Sequence, residues 1–143
     1  MTQVHIREFA FPADYAAAKR LWESAGAGIR VGPSDTPAEI QKKLQRDPDL
    51  FLVAEAGSEL VGTVIGGFDG RRGTVYHLAV SPQFRRRRVA SRLMAELETR
   101  LRAKGCIRAY LVVRPHNLEA MKYYESIGWG LLDDSLFAKD LVR

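Results

Sequence analysis

The sequence predicts one domain of mixed α and β structure (α+β) around a mostly antiparallel sheet. Segments with strand-like alternation and segments with helical periodicity follow one another along the whole chain. Three strand-like segments are consecutive and joined by turn residues around Gly57 and Gly70, which is typical of an antiparallel meander. A chain of 143 residues, 46% of them hydrophobic, supports one core and leaves no room for a second domain of ordinary size. We therefore treat residues 1–143 as a single domain.

The first part of the chain predicts one strand and two helices. Gln3 to Glu8 alternates like a strand, and Tyr15 to Ser24 has the pattern of a helix whose inner face carries Trp22. Thr36-Pro37-Ala38-Glu39 has the sequence of a capping box with proline at the first helical position. A second helix should therefore run from about Pro37 to Gln45, after a glycine-rich loop.

The middle of the chain predicts the meander and a long helix. The strands are expected at Leu50 to Glu55, Leu60 to Phe68 and Thr74 to Val80. After a turn at Ser81-Pro82, apolar residues spaced four apart predict a helix from about Val89 to Ala103.

The last part of the chain predicts two further strands and a helix. Ile107 to Val113 is a nearly continuous apolar run, which is typical of a central strand covered on both faces. Asn117 is a suitable cap for a helix ending near Ile127-Gly128, and Ser135 to Leu141 predicts a closing strand. The exposed edge of that last strand would favour a homodimer.

The charge distribution points to an anionic ligand. The chain has 22 Lys and Arg against 17 Asp and Glu, and four arginines, Arg85 to Arg88, stand at the start of the long helix. Unpaired N–H groups at a helix start favour a phosphate or pyrophosphate. A phosphorylated cofactor is therefore expected. A nucleic-acid binder would need further basic or aromatic residues on the same face, which the sequence does not show.

Other features exclude several classes of protein. A single cysteine, Cys106, allows neither an intramolecular disulfide nor a cysteine-based zinc site, and no metal site is predicted. No apolar run is long enough for a membrane span, and the N-terminus lacks the pattern of a secretory signal. We expect a cytoplasmic protein with no membrane partner.

The chain carries two motifs with functional spacing. The first is Arg85 to Ala90, and the second comprises Asn117, Ala120, Tyr124, Glu125, Gly128 and Trp129. Both resemble motifs of the GCN5-related N-acetyltransferase (GNAT) family. Arg85 to Ala90 matches the acetyl-CoA signature Arg/Gln-x-x-Gly-x-Gly/Ala except at Arg88, and the second motif matches the family pattern Asn-x-x-Ala-x-x-x-Tyr-Glu-x-x-Gly-aromatic. FLVAE, VGTVIGGFDGRRG and RAKGC are similar to the small, single-domain bacterial YpeA-type branch in particular. The resemblance covers nearly the whole chain and implies a mixed, mostly antiparallel sheet of six to seven strands flanked by about four helices.

The resemblance also implies a binding site for acetyl-CoA as acyl donor. The backbone of Leu78, Ala79 and Val80 would bind the pantetheine arm like an added strand. The amides from Arg86 to Ser91 would bind the pyrophosphate, and Asn117 would reach a pantetheine amide. The predicted cofactor-binding residues are Leu78, Ala79, Val80, Arg85, Arg86, Arg87, Arg88, Val89, Ala90, Ser91, Asn117 and Tyr124.

Arg88 stands where the signature has its first glycine, and two interpretations follow. With ordinary helical φ and ψ, its side chain points away and its amide still binds the ligand. Alternatively, the pyrophosphate lies where the side chain would be, and Arg88 weakens binding. The first is favoured, because nothing else disturbs the turn or the helix.

The implied reaction is transfer of an acetyl group to a primary amine by direct attack in a ternary complex. Tyr124 would donate a proton to the departing CoA thiolate, although the residue, taken alone, could be a core aromatic. Deprotonation of the amine through water would be assisted by Tyr76 or His77, although His77 faces away unless a bulge redirects it. Asn117 alone could be only a helix cap.

The acceptor is expected beside the first two helices and their loop, from Trp22 to Asp35. A small amine, an amino-acid derivative and a peptide N-terminus fit this mixed lining equally. A non-catalytic sensor or interaction module that binds acyl-CoA is the alternative function, because of Arg88 and the absence of a glutamate base.

Overall fold

The computed structural model describes residues 3–25 and 28–142. In these ranges the strands are β1 (Val4–Glu8), β2 (Phe51–Ala56), β3 (Glu59–Phe68), β4 (Gly73–Val80) and β5 (Ala109–Leu111). The helices are α1 (Tyr15–Ser24), α2 (Pro37–Arg46), α3 (Val89–Ala103) and α4 (Leu118–Ser126), with short 3₁₀ helices at Pro33–Asp35 and Pro82–Phe84. The strands form one sheet in the order β1-β2-β3-β4-β5; β5 is parallel to β4, and the other neighbours are antiparallel.

The helix starts follow the local sequence. The Thr36 hydroxyl accepts a hydrogen bond from the Glu39 backbone N–H at 3.4 Å, and Pro37 occupies the first position of α2. The Asn117 side chain accepts from the Ala120 N–H at 3.2 Å and caps α4 in the same way. Both predicted caps are therefore present.

The two faces of the sheet bury different helices. On one face, Trp22 of α1 and Ile40 of α2 pack with Phe51, Val53 and Ile65 of the sheet. On the other face, α3 packs through residues that are all at most 3% exposed: Val89, Leu93, Met94, Leu97 and Leu101. Gly66 permits the close approach of α3, because a Cβ there would lie 2.5 Å from Leu97 Cδ1. The meander thus stands between two helical layers.

The sheet has five strands within the described ranges, so the prediction of six to seven strands is wrong. The segment from Ser135 to Leu141 has no strand partner there, and its apolar side chains are exposed; Phe137, for example, is 92% exposed. A strand requires a neighbour to bond its N–H and C=O groups, and apolar content alone does not provide one.

β5 also differs from the expectation. It spans only Ala109–Leu111, all half-buried, while Ile107 is 93% and Val112 is 69% exposed. The apolar run is therefore a short strand at the end of the sheet, not a central strand covered on both faces. Length and composition could not distinguish these cases, because both produce a continuous apolar run.

Candidate active site

An opening lies beside β4, where β5 stops following it. β5 pairs with β4 only from Gly73 to Val75, so the edge of β4 from Tyr76 to Val80 has no partner strand within the described ranges. The backbone of Leu78, Ala79 and Val80 therefore faces a gap on this side. An extended amide-containing chain can bind such an edge as an added strand.

A β-bulge redirects the middle of β4. The register changes from Ile65 opposite Tyr76 to Thr63 opposite Ala79, so β4 has one extra residue at this point. His77 adopts a positive φ of 53°, in the left-handed region that residues with a Cβ rarely occupy. Its ring lies 4.7 Å from the Trp22 ring, centroid to centroid, on the face of the sheet covered by α1. Strand alternation predicted that His77 faces away from the cleft unless a bulge redirects it, and this bulge is present.

Buried hydrogen bonds maintain this bulge. The Thr63 hydroxyl donates to the His77 carbonyl at 2.8 Å and accepts from the Trp22 indole N–H at 2.9 Å. The His77 ring nitrogen Nε2 lies 2.9 Å from the Asp35 carboxylate, whose residue is only 6% exposed. The loop between α1 and α2 is thereby bonded to the bulge.

Sequence reasoning did not single out Thr63 as a site residue, and it included Asp35 only as the end of the loop expected to line the acceptor site. Thr63 is the one hydroxyl residue within the apolar strand β3, and Asp35 stands directly before the helix cap Thr36. Each is polar and nearly fully buried, and such groups are normally hydrogen bonded. The isolated hydroxyl was therefore a usable signal, whereas the contact of Asp35 depends on the tertiary fold.

Tyr76 lies beside His77, with the ring centroids 5.7 Å apart. Burial of its hydroxyl raises the pKa of Tyr76, and the carboxylates of Asp35 and Asp47 raise it further because they oppose a phenolate. The phenol therefore stays protonated at neutral pH. It can donate or accept a hydrogen bond, but it is a poor proton acceptor from an ammonium group.

The arginine run forms the turn between β4 and α3. Arg85 to Arg88 are all exposed, and the Arg85 side chain donates to the Val80 carbonyl at 3.4 Å. The Arg87 guanidinium lies over the Phe84 ring, 5.0 Å from its centroid. Four positive side chains thus stand in the turn that follows the open edge of β4, and one of them, Arg85, contacts its last residue.

Arg88 does not have the ordinary helical φ and ψ that the favoured interpretation of this residue assumed, so that premise is wrong. It caps α3 with φ 61° and ψ 19°, and Arg86 also has a positive φ, of 63°. Glycine adopts this region without the steric cost of a Cβ. The glycine of the signature is therefore explained here by backbone conformation.

The first turn of α3 offers unpaired backbone donors. The Arg92 N–H donates to the Arg88 carbonyl at 3.0 Å, so regular helical bonding starts at Arg92. The amides of Val89, Ala90 and Ser91 precede it and lack intrahelical acceptors. Ser91 also bonds, through its hydroxyl, to the Tyr123 hydroxyl at 3.0 Å, which fixes α4 beside this helix start.

Asn117 and Tyr124 lie on the α4 side of the gap. The Asn117 oxygen is used in the helix cap, while its Nδ2 lies 3.6 Å from where a Cβ of Gly28 would stand. Tyr124 is half-buried, with its ring 6.4 Å from the Trp129 ring. Burial, with a smaller contribution from Tyr123, raises the pKa of Tyr124 to about 12. This phenol therefore remains a proton donor throughout the physiological pH range.

Within residues 3–25 and 28–142, no group of three or more His, Cys, Asp or Glu side chains could hold a metal ion. None of the helices described there has the length and apolar character needed to cross a bilayer.

Known proteins are similar to this chain in sequence over most of its length. Residues 15–129 match the model of the acetyltransferase (GNAT) family. An acetyltransferase of Pectobacterium atrosepticum is 41% identical over 130 residues, covering 91% of each protein. An acetyltransferase of Sodalis glossinidius is 43% identical over 123 residues, covering 86% of this chain and 85% of the relative.

The fold is also similar to solved structures. Ard1 from Thermoplasma volcanium aligns with a TM-score of 0.78 at 26% identity, covering 90% of this chain and 84% of that one. The PaiA N-acetyltransferase from Thermoplasma acidophilum, in complex with coenzyme A, aligns with a TM-score of 0.78 at 20% identity, covering 93% of each chain. The match of residues 15–129 and the two bacterial relatives show that this chain is an acetyltransferase of the GNAT family, which uses acyl-CoA donors.

Proposed function

We propose that this acetyltransferase transfers the acetyl group of acetyl-CoA to a primary amine, by direct attack within a ternary complex. The observation that carries the proposal is the open edge of β4 from Tyr76 to Val80, which ends at the arginine-rich start of α3. One face of this opening carries His77 and Tyr76, and α4 carries Tyr124 on the other side. Donor binding, amine deprotonation and leaving-group protonation would then occur in one cleft.

The chain's residues fit acetyl-CoA. The backbone of Leu78, Ala79 and Val80 would bond the pantetheine amides, and the Asn117 Nδ2 is free of the cap to donate another hydrogen bond. The amides from Arg86 to Ser91 would bind the pyrophosphate, with added charge from Arg85 to Arg88. Acetyl-CoA supplies an acetyl thioester whose carbonyl carbon accepts the amine.

Two groups of residues would move protons. Tyr124, with its pKa near 12, would donate to the sulfur as the carbon–sulfur bond breaks. On the acceptor side, His77 would take a proton from the amine directly or through a water molecule, because a neutral imidazole has one ring nitrogen with a lone pair that can accept a proton. Tyr76, which stays protonated, would orient that water.

Two observations guide the choice of acceptors. The loop from Ile29 to Asp35 reaches the bulge through the contact between Asp35 and His77, so an acceptor there would be close to the proposed base. The structural neighbours include an aminoglycoside N-acetyltransferase in complex with CoA and a NatC complex bound to a peptide and CoA. Small polyamines, amino-acid derivatives and peptides with free N-termini therefore form the first acceptor panel.

The test is mass-spectrometric detection of acetylated products after incubation of the protein, acetyl-CoA and each member of this panel. We expect a product 42 Da heavier, about the mass of an acetyl group replacing a hydrogen, with lower yield for Tyr124→Phe. Saturable binding of acetyl-CoA without transfer to any amine would instead support the alternative, an acyl-CoA sensor or interaction module.

A further inference from the structure

The Asp35 carboxylate is a fixed hydrogen-bond acceptor. It ends the 3₁₀ helix Pro33–Asp35, and its Oδ2 accepts from the Gly32 backbone N–H at 3.1 Å. Its Oδ1 lies 2.9 Å from Nε2 of His77. The Asp35 side chain is 7% exposed and the His77 side chain is 15% exposed. Both carboxylate oxygens are thus used, and the Tyr15 hydroxyl donates to the Asp35 backbone carbonyl at 2.6 Å.

This contact determines which nitrogen of the imidazole carries a hydrogen. An ionised carboxylate accepts hydrogen bonds and cannot donate them, so Nε2 facing Asp35 is protonated. In the neutral ring the lone pair is then on Nδ1. Within the described ranges Nδ1 has no hydrogen-bond partner. The ring is oriented by Trp22 and Tyr76, whose ring centroids lie 4.7 and 5.7 Å from its own.

The unusual backbone at His77 is the second observation. A positive φ is sterically unfavourable for a residue with a Cβ, and such strain persists only where surrounding contacts determine it. Here the carbonyl is bonded to Thr63 and the side chain to Asp35. The backbone and the ring of one residue are therefore both constrained.

We propose that Asp35 is a positioning residue that acts through His77: its carboxylate holds Nε2–H and leaves the Nδ1 lone pair to take the proton of the acceptor. This inference rests on the proposed N-acetyltransferase function. The acceptor enters as a primary ammonium ion: one of its three N–H bonds breaks, the proton joins Nδ1, and the freed nitrogen electron pair forms the bond to the acetyl carbon. The carbon–sulfur pair leaves with sulfur, which takes a proton from Tyr124. The acylated nitrogen still carries one proton more than the amide product. It loses this proton to solvent, and the Tyr124 hydroxyl is restored from solvent. Nδ1 also releases its proton to solvent.

The first test reads the tautomer without any need for turnover. Long-range ¹H–¹⁵N spectra report the protonation of each imidazole nitrogen in the three histidines, and His77→Gln identifies the His77 signals. We expect Nε2–H in the wild type. Asp35→Asn should give Nδ1–H, because the amide oxygen can keep the Gly32 bond while its NH₂ donates to Nε2. Nδ1–H in the wild type, or an unchanged tautomer in Asp35→Asn, would overturn the proposal.

The second test separates positioning from loop anchoring. For an amine that the wild type acetylates, kcat/KM is measured against pH for Asp35→Asn, Asp35→Ala and the control Asp69→Asn. Asp69 is an exposed turn carboxylate that accepts the backbone N–H groups of Arg71 and Arg72. We expect kcat/KM to fall about 10²-fold in both Asp35 variants. The rise of kcat/KM with pH that depends on His77 should disappear in both. Acetyl-CoA binding and the melting temperature should be unchanged in Asp35→Asn.

The outcomes distinguish this inference from the proposed function. If only anchoring matters, the isosteric Asp35→Asn keeps wild-type activity while Asp35→Ala loses it, and the positioning role is rejected. If the wild type acetylates no amine at all, the proposed function fails, and the tautomer spectra still decide whether Asp35 sets the protonation of His77.

Discussion

The Thr63 hydroxyl donates a 2.8 Å hydrogen bond to the carbonyl of His77, and thereby bonds the one left-handed residue of β4 to the centre of β3. The same oxygen accepts the Trp22 indole N–H at 2.9 Å. One buried oxygen therefore connects α1, β3 and the bulge. This connection explains why a polar residue occupies a position with no solvent exposure.

Thr63→Val should lower the free energy of unfolding by about 2 kcal/mol. Valine has nearly the same shape but leaves the buried Trp22 N–H and the His77 carbonyl without their partner. Urea denaturation monitored by tryptophan fluorescence measures the loss. The control is Thr99→Val on α3, because its hydroxyl makes only an exposed bond to the Ala95 carbonyl. Equal effects at the two positions would contradict the bulge-supporting role of Thr63.

Arg88→Gly should leave the fold at least as stable as the wild type. Relief of the left-handed strain, about 1–2 kcal/mol, offsets the roughly 0.5–1 kcal/mol that glycine's flexibility costs in the unfolded chain. Ala95→Gly, on an exposed position within the same helix, should lose about 1 kcal/mol. Thermal or urea unfolding of the wild type and both variants measures these changes in stability. A loss at Arg88 as large as that at Ala95 would refute the conformational explanation.

Much of the fold follows from local sequence signals. Thr36 and Asn117 cap their helices as expected, and the predicted bounds of the long helix, Val89 to Ala103, agree with those of α3. Caps and helical periodicity depend on neighbouring residues alone. The segment from Ser135 to Leu141 was mispredicted because strand formation depends on a pairing partner, which composition cannot supply.

The site divides in the same way. The arginine run and Asn117 could be read from sequence because their helix starts are local features. The position of His77 depends on a bulge that opposes β3, and its contact with Asp35 joins residues 42 apart in the chain. Strand alternation alone placed His77 on the wrong face, since one inserted residue reverses the direction of side chains beyond it.

Tyr124→Phe should lower kcat for acetyl transfer by about 10²-fold while leaving the Kd for acetyl-CoA unchanged, because the variant removes only the proton donor. The hydroxyl with a pKa near 12 remains protonated below about pH 10. The wild-type rate should therefore show no fall between pH 7 and pH 9 caused by ionisation of Tyr124. A fall in this range that disappears in Tyr124→Phe would contradict the assignment.

The same raised pKa has a consequence for stability. Because the folded-state pKa of Tyr124 lies above the unfolded value of about 10, its contribution is fully present below about pH 10. As the pH rises from about 10 to 12, the unfolded chain releases the proton first and stability falls. Unfolding curves across this interval should have a shallower pH dependence in Tyr124→Phe. An identical dependence in the two proteins would show that the Tyr124 pKa is not raised by folding.

The homodimer remains a prediction, although its original basis, the edge of a last strand, is absent within the described residues. The outer edge of β5 has no partner strand there, and Phe137 and Leu141 are 92% and 89% exposed. We expect light scattering to give twice the chain mass of 16.0 kDa. Phe137→Ser should weaken the dimer and Lys139→Ser should not. A monomer at every concentration tested would contradict the prediction.

The most direct test of the proposed donor site is isothermal titration of the protein with acetyl-CoA, because donor binding along the open edge of β4 underlies every later step. We predict one saturable site of micromolar affinity that weakens as salt screens the arginine run. Absence of saturable binding up to millimolar acetyl-CoA, at low salt and with the protein folded, would contradict the proposed donor and its site.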